Sequence, residues 1–187
     1  MYRISIIVGS IRRGRNTIRL AKLIENAVQT HDLAEPDLVD LAELDIPLLE
    51  ERYRFLENPP VGLTRFIESM AAADGVVIVT PEYNKLVPAA LKNAIDAIGD
   101  EIRRKPIAIA AHSVGAFGGS YVLESVRPMV MNLGAVPIPA TLKVPYVARA
   151  IGEDGEALEE VFEDRAERFV DELIEYAGAL QVLRSND

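Results

Sequence analysis

The chain has 187 residues, 49% of them hydrophobic, and a formal net charge of −9 at pH 7. This length suits one well-packed domain, residues 1–187, and is short for two. The negative charge argues against nucleic-acid binding and disfavours docking on an anionic membrane surface. Cysteine is absent, which excludes disulfides, thiolate nucleophiles and zinc–sulfur sites. Any redox chemistry therefore requires a bound cofactor.

The amino end, Met1-Tyr2-Arg3, runs directly into a predicted strand. A basic stretch followed by an apolar one does not open the chain, and no apolar run approaches the ~20 residues that cross a bilayer. We therefore expect a soluble cytoplasmic protein that has no membrane partner.

A polar loop, residues 9–17, follows the first predicted strand and leads into a helix with apolar residues at helical spacing. It contains most of the densest basic cluster of the chain: Arg12, Arg13, Arg15 and Arg19. Asn16 or Thr17 can cap the helix, whose free N–H groups then face the loop and suit a phosphate. Ser10 adds a hydroxyl, and the arginines add charge-assisted hydrogen bonds. A solvated basic turn would have the same composition, and the G-x-G-x-x-G pattern of a Rossmann dinucleotide site is absent.

The region before the central strand carries fewer chemical signals. Residues 37–41 are predicted to form a short second strand, and residues 61–73 a helix with Met70 in the core. The irregular segment 46–60 between them mixes charged residues with aromatic ones. Such a segment is typical of a lid or a subunit contact, and equally of a surface loop held down by its own aromatic side chains.

The apolar run 76–79 predicts a strand buried on both faces, as in the middle of a parallel sheet. Pro81 ends this strand, and a further proline suits the first turn of the next helix. Glu82, Tyr83 and Asn84 offer an acceptor, an aromatic ring with a hydroxyl, and an amide. A flat heteroaromatic ligand can use all three groups. An ordinary turn, in which the Asn and Glu side chains cap the next helix and the Tyr packs, explains them as well.

The next buried strand, residues 106–111, is followed by a glycine-rich stretch. Gly115, Gly118 and Gly119 permit a tight backbone that approaches a ligand closely with its N–H groups free, although simple tight turning explains them too. His112, at the end of the strand, is interpreted as structural rather than catalytic.

A helix, an edge strand and a second helix are predicted for the rest of the chain. The first helix covers residues 120–132 and ends at Gly134, and the strand covers residues 135–138, since its proline would break a central ladder. From Glu153 we expect one amphipathic helix whose acidic residues face solvent. Its predicted inner stripe consists of Leu158, Val161, Phe162, Phe169, Val170, Leu173, Ile174 and Ala177.

The alternation of strands and helices predicts an α/β fold, with a flavodoxin-like, doubly wound, five-stranded parallel sheet in the order 2-1-3-4-5 and helices on both faces. Strands 1, 3 and 4 are neighbours in that order, so the loops after them converge at one edge of the sheet. We call them the arginine loop (residues 9–17), the PEYN loop (residues 81–84) and the glycine loop (residues 113–119). Together they predict a phosphate pocket beside a cleft for an aromatic ring, as FMN requires.

The string Pro81-Glu82-Tyr83-Asn84, followed by a proline and by Leu91-Lys92-Asn93-Ala94-Ile95-Asp96, resembles the signature of the NAD(P)H-dependent FMN reductase family. The resemblance implies a flavodoxin-like fold, bound FMN, and NADPH or NADH as co-substrate. Gly9, Ser10 and Arg12 match the family's G-S-x-R, which holds the FMN phosphate, and the glycine loop resembles its G-x-x-G-G beside the isoalloxazine ring. The chain departs from the family where it has Arg15-Asn16-Thr17 and Tyr121-Val122.

The predicted function is transfer of electrons from NAD(P)H through FMN to a small acceptor, such as a flavin, a quinone, an azo compound or a metal oxyanion. Because the flavin carries the chemistry, we assign cofactor-binding residues and no catalytic residue. The cofactor-binding residues are Gly9, Ser10, Arg12, Arg15, Asn16, Thr17, Pro81, Glu82, Tyr83, Asn84, Ser113, Gly115, Gly118 and Gly119.

The resemblance also implies a homodimer or homotetramer that pairs through the helix after the PEYN loop. Apolar residues near that loop can serve such pairing or can face their own sheet: Leu86, Val87, Ala90, Leu91, Ile95 and Ile98. An alternative function is a flavodoxin-type electron carrier or redox-sensing module that holds FMN without turning over NAD(P)H. A flavin-free structural subunit is a third possibility, because fold does not determine function.

Overall fold

In the computed structural model, which describes residues 1–185, a single sheet of five parallel strands has the order β2-β1-β3-β4-β5. The predicted fold class and strand order are therefore confirmed. The strands are β1 (Tyr2–Val8), β2 (Ala34–Asp40), β3 (Gly75–Pro81), β4 (Pro106–His112) and β5 (Val136–Val144).

Helices cover both faces of the sheet. They are α1 (Thr17–Thr30), α2 (Leu41–Leu44), α3 (Val61–Ala72), α4 (Ala89–Ala97), α5 (Ser120–Asn132), α6 (Val147–Ala150) and α7 (Glu160–Arg184), with a 3-10 helix at Tyr53–Phe55. One core packs α1 and α7 against the sheet, and a second core packs α3, α4 and α5 against the opposite face. Every residue of β3 and β4 is buried, as their unbroken apolar runs predict.

The two edge strands are longer than predicted. β2 begins at Ala34 and β5 extends to Val144. Pro137 and Pro139 lie within β5, where an edge strand tolerates the missing N–H groups. The pairing of β4 with β5 shifts register between Ile107 and Ile109.

The last helix begins later than predicted. Instead of starting at Glu153, α7 starts at Glu160, and the preceding residues form a turn closed by an antiparallel bridge between Ile151 and Ala157. Gly155 has φ +84°, and its α-carbon packs so tightly on α1 that a Cβ would lie 2.6 Å from Lys22 Cβ. Leu158 and Val161, which were predicted to face inward, are consequently exposed by 54% and 51%.

The irregular segment between α2 and α3 is held by the side chain of Asn93 on α4. The Asn93 amide donates to Pro47 O at 2.9 Å and accepts from Leu49 N at 3.1 Å. Tyr53 packs against the second core, whereas Phe55 is 59% exposed. These contacts favour a surface loop that is held down partly by its own aromatic residues. Within residues 1–185, none of the helices has the length and apolar character needed to cross a membrane.

Candidate functional site

The arginine, PEYN and glycine loops meet at the carboxyl edge of the sheet around a cavity of about 390 Å³. This volume lies in the range of small-molecule sites. Its lining residues are Arg12, Arg13, Gly14, Arg15, Asn16, Thr17, Pro81, Glu82, Tyr83, His112, Ser113 and Val114. The remaining predicted site residues are not among those that line the cavity: Gly9, Ser10, Asn84, Gly115, Gly118 and Gly119.

A larger cavity, about 550 Å³, lies between the carboxyl ends of α4 and α5 and the 3-10 helix. None of its lining residues comes from the three loops. The smaller cavity is the functional candidate because it lies outside the carboxyl ends of neighbouring parallel strands, where ligands bind in open α/β sheets.

Tyr83 joins the arginine loop to the PEYN loop. Its hydroxyl lies 2.9 Å from the Oγ of buried Ser10, and the Arg12 guanidinium lies 3.6 Å from the centre of its ring. Gly9 allows the end of β1 to lie close to β3. Its N–H donates to Val79 O at 2.8 Å, and a Cβ on Gly9 would lie 2.8 Å from that oxygen and from Leu91 Cδ2.

Arg15 is engaged by the protein itself. Its guanidinium pairs with Asp40, which also caps α2 by accepting from Ala42 N at 3.0 Å. The Arg15 Nε is buried and has no hydrogen-bond partner among the residues that the structure describes. Arg12 and Arg13 are both exposed and are the more accessible cations of the loop.

The start of α1 differs from the predicted cap. Asn16 occupies the N-cap position, but its side chain makes no capping hydrogen bond. The Thr17 hydroxyl lies 2.9 Å from His112 Nε2 and so links α1 to the end of β4. The expectation that either side chain caps the helix is therefore wrong, because Asn16 adopts helical backbone angles and Thr17 is turned towards the histidine.

His112 lines the cavity although the sequence did not mark it as a site residue. It is 4% exposed, and burial lowers its pKa from 6.5 to about 4, so the ring is neutral at neutral pH. Its Nδ1 is buried without a hydrogen-bond partner in residues 1–185. Its position at the carboxyl end of a central strand was the available signal.

Glu82 caps a helix, but not the one that follows it. Its Oε2 accepts from Tyr121 N at 2.8 Å and from Val122 N at 3.1 Å, in the first turn of α5. The alternative in which Glu82 caps the next helix is therefore wrong. The carboxylate is committed to α5 because the PEYN loop and the glycine loop follow neighbouring strands.

Asn84 lies in a tight turn. Tyr83 and Leu86 exchange backbone hydrogen bonds of 2.9 and 3.0 Å, while Asn84 and Lys85 have φ values of 53° and 69°. Positive φ at both central positions is the type I′ pattern, which favours asparagine at the first of them. The backbone alone therefore gives a reason for Asn84.

Ser113 shapes the glycine loop from inside. Its hydroxyl donates to Gly115 O at 2.9 Å and accepts from Gly118 N at 3.0 Å. Gly119 has φ +80°, and a Cβ there would lie 2.8 Å from Ala111 Cβ. Nothing lies within 4 Å of a Cβ built on Gly115, so the space beside the Gly115 α-carbon is open.

The donor groups around the cavity fit a cofactor that has a phosphate and an aromatic ring. Two accessible arginines and the first turn of α1, which has no side-chain cap, suit the phosphate. Tyr83 and the glycine loop suit a flat ring. Among residues 1–185, no group of three or more His, Asp or Glu side chains could hold a metal ion.

The fold and this cavity define a flavodoxin-like protein with a site for a phosphate-bearing aromatic cofactor. The model of the NADPH-dependent FMN reductase family matches residues 2–148, and the chain belongs to that family. The family resemblance is thereby confirmed. So are FMN as cofactor, NAD(P)H as reductant and the oxidoreductase activity.

Relatives agree with this assignment. The chain is 31% identical over 178 residues to an FMN-dependent NADPH-azoreductase of Staphylococcus haemolyticus, covering 92% of this chain and 94% of the relative. It is 33% identical over 140 residues to a quinone reductase of Pseudomonas putida, covering 71% and 72%. The solved structure of the flavoenzyme NAD(P)H:(acceptor) oxidoreductase FerB from Paracoccus denitrificans shares the fold, with a TM-score of 0.77, 23% identity, and coverage of 94% of this chain and 99% of that one.

Proposed function

We propose that this chain, acting as a single flavin-binding domain in the cytoplasm, reduces planar conjugated acceptors of the quinone or azo class with NADPH. The observation that carries the proposal is the convergence of three loops on one cavity, with apolar side chains exposed on the glycine loop. Val114, which lines the cavity, is 79% exposed, and Phe117 of the same loop is 72% exposed. The quinone reductase and azoreductase relatives support this acceptor class. When bound, FMN supplies the redox chemistry, since it takes hydride from the nicotinamide and passes electrons to the acceptor.

In this proposal the residues of the chain bind the cofactor and orient it. Arg12 and the free N–H groups at the start of α1 would hold the phosphate of FMN. Tyr83 and the open space beside the Gly115 α-carbon would accommodate the ring, with Ser113 keeping the loop in shape. The chain has no cysteine to relay electrons, so NADPH and acceptor would bind in turn at this cavity.

Arg13 is our candidate for recognition of the 2′-phosphate that distinguishes NADPH from NADH. Arg15 is paired with Asp40, and Arg12 lies over the Tyr83 ring, whereas Arg13 is exposed on the cavity wall. Arg13→Ala should raise the KM for NADPH about tenfold, the scale of one lost charge-assisted hydrogen bond, and leave the KM for NADH unchanged. Arg52→Ala, an exposed arginine outside the cavity, is the matched control. Equal effects of Arg13→Ala on both nucleotides would contradict this role.

A homodimer or homotetramer remains part of the proposal, but through a contact surface different from the helix that the sequence suggested. Leu91, Ile95 and Ile98 are buried in the chain's own core at 0%, 3% and 6% exposure, so they face their own sheet. Leu86, in the turn after Asn84, and Phe117 of the glycine loop are 58% and 72% exposed. We expect pairing through these exposed apolar side chains. Light scattering at micromolar concentration should give at least twice the chain mass, and a monomeric mass would remove this part of the proposal.

The reductase activity is tested by mixing the FMN-loaded protein with NADPH or NADH in a stopped-flow instrument without acceptor. Bleaching of the flavin absorbance within seconds, followed by its return when a quinone or azo dye is added, is the expected result. Dithionite serves as the control for reducibility. If dithionite bleaches the flavin but neither nucleotide does so faster than minutes, the chain is an electron carrier and the proposed function fails.

A further inference from the structure

Helix α5 begins without a capping side chain of its own. Its N-cap residue is Gly119, which has φ +80° and no side chain. A larger residue cannot replace it easily, since a Cβ would lie 2.8 Å from Ala111 Cβ and 3.1 Å from His112 N. The N–H groups of the first helical turn have no partners within the helix, so they need an acceptor from elsewhere.

Glu82 is that acceptor, across 39 and 40 positions of sequence. One of its carboxylate oxygens receives the N–H groups of both Tyr121 and Val122. The same turn makes a second contact with the helix, because Lys85 Nζ lies 4.7 Å from the centre of the Tyr121 ring. Glu82 and the adjoining turn therefore hold the first turn of α5, the helix that follows the glycine loop.

Glu82 also lines the cavity, so its charge acts on whatever is bound there. Its carboxylate lies against the positive end of the α5 dipole. Removing the negative charge while keeping the hydrogen-bond acceptor would make the cavity more positive. A more positive cavity favours the reduced flavin, which carries more negative charge than the oxidised form.

We infer that Glu82 is a positioning residue, which fixes the glycine loop against the PEYN loop and whose charge lowers the reduction potential of the bound flavin. The inference rests on the binding of FMN in this cavity. It differs from the sequence-based expectation that Glu82 contacts the cofactor as an acceptor. Its effect reaches the ring end of the site through α5, while the phosphate end is held separately by the arginine loop.

The positioning role is tested by fluorescence titration of FMN and riboflavin against wild type, Glu82→Ala and Glu82→Gln. Glu82→Ala leaves two helix N–H groups without an acceptor, so both flavins should bind about tenfold or more weakly, by similar factors. Glu82→Gln keeps an acceptor oxygen and should restore binding to within about threefold of wild type. Arg12→Ala is the contrasting variant, because it should weaken FMN alone.

The charge role is tested by spectroelectrochemistry of the FMN-loaded Glu82→Gln protein. A tenfold shift of the equilibrium towards reduced flavin corresponds to about +30 mV for a two-electron couple, and we expect a shift of this order. Glu124→Gln removes the same charge from an exposed position on α5 outside the cavity lining. It should leave both the potential and the two affinities unchanged.

The outcomes separate this inference from the proposed function. If the wild-type protein binds neither flavin, the proposed function fails. If the wild-type protein binds both flavins and Glu82→Ala binds each of them as tightly as wild type does, Glu82 does not position the loop. A potential in Glu82→Gln no higher than in Glu124→Gln overturns the charge role. If Glu82→Ala does not fold, the test depends on Glu82→Gln alone. An unchanged reduction potential together with wild-type flavin affinity in Glu82→Gln would then show that Glu82 is a structural cap only.

Discussion

Burial of His112 predicts a specific dependence of stability on pH. The side chain is 4% exposed, its Nε2 is engaged by Thr17 Oγ1 at 2.9 Å, and burial lowers its pKa from 6.5 to about 4. The unfolded chain therefore binds a proton between pH 6.5 and 4 that the folded chain does not bind. The contribution of His112 to the free energy of unfolding is therefore fully present above pH 6.5 and is lost as the pH falls towards 4.

The fall of this pKa from 6.5 to about 4 corresponds to about 3 kcal/mol over the whole window. Roughly 2 kcal/mol of it should be lost between pH 7.5 and pH 5, before most carboxylates begin to titrate. Urea unfolding of the flavin-free protein at half-unit pH intervals measures this loss directly.

His112→Gln keeps a polar side chain and removes the titrating group, so its stability should change little between pH 7.5 and pH 5. Its absolute stability at pH 7.5 can differ from wild type without affecting the comparison of slopes. The reasoning is refuted if His112→Gln loses as much stability on acidification as the wild-type protein does.

Three further variants test separate parts of the structure. Arg12→Ala should weaken FMN by about 1.5–3 kcal/mol and leave riboflavin almost unchanged in a fluorescence titration, and equal losses for both would show that Arg12 does not bind the phosphate. Lys85→Gly relieves a φ of 69° and should raise the free energy of unfolding by about 0.5–1 kcal/mol, whereas Lys85→Ala should not raise it. Burial of Asp37 raises its pKa, but hydrogen bonds from Arg65, Ser69 and Arg3 outweigh burial and hold the pKa below 3.8. Asp37→Asn should therefore cost about 1–3 kcal/mol at pH 7, and the difference from wild type should shrink as the pH falls below 3.8; an undiminished difference at low pH would contradict it.

The sheet could be predicted because its signals are local and repeated. The apolar runs of β3 and β4 are too long and too uniform for edge strands, and all residues of both strands are buried. Once the order of the strands follows from their alternation with helices, the meeting of the three loops follows from geometry alone. The cavity between them required no knowledge of individual side-chain contacts.

The errors arose where one pattern continued across a structural boundary. Acidic residues with apolar residues between them run from Glu153 into α7, so periodicity alone extended the helix over the turn that Gly155 permits. The same limit applies to α4. Its apolar stripe fits both a subunit contact and packing on the sheet. Leu91 and Ile95 are buried within the chain, so the stripe packs on the sheet.

The contacts of Glu82 and His112 lay beyond local pattern reasoning for a different reason: their partners are far away in sequence. Thr17 and His112 are separated by 95 positions, and Glu82 by 39 from Tyr121. A long-range signal was nevertheless present for Glu82. A helix whose N-cap is a glycine must find an acceptor elsewhere, and an acidic residue directly after the neighbouring strand is well placed to provide it. The PEYN string therefore combines residues of different purpose, since Tyr83 faces the cavity, Asn84 suits its turn, and Glu82 holds the helix behind the glycine loop. Loss of flavin binding after substitution in this string consequently does not identify a residue that touches the flavin, unless binding of the phosphate and of the ring are measured separately.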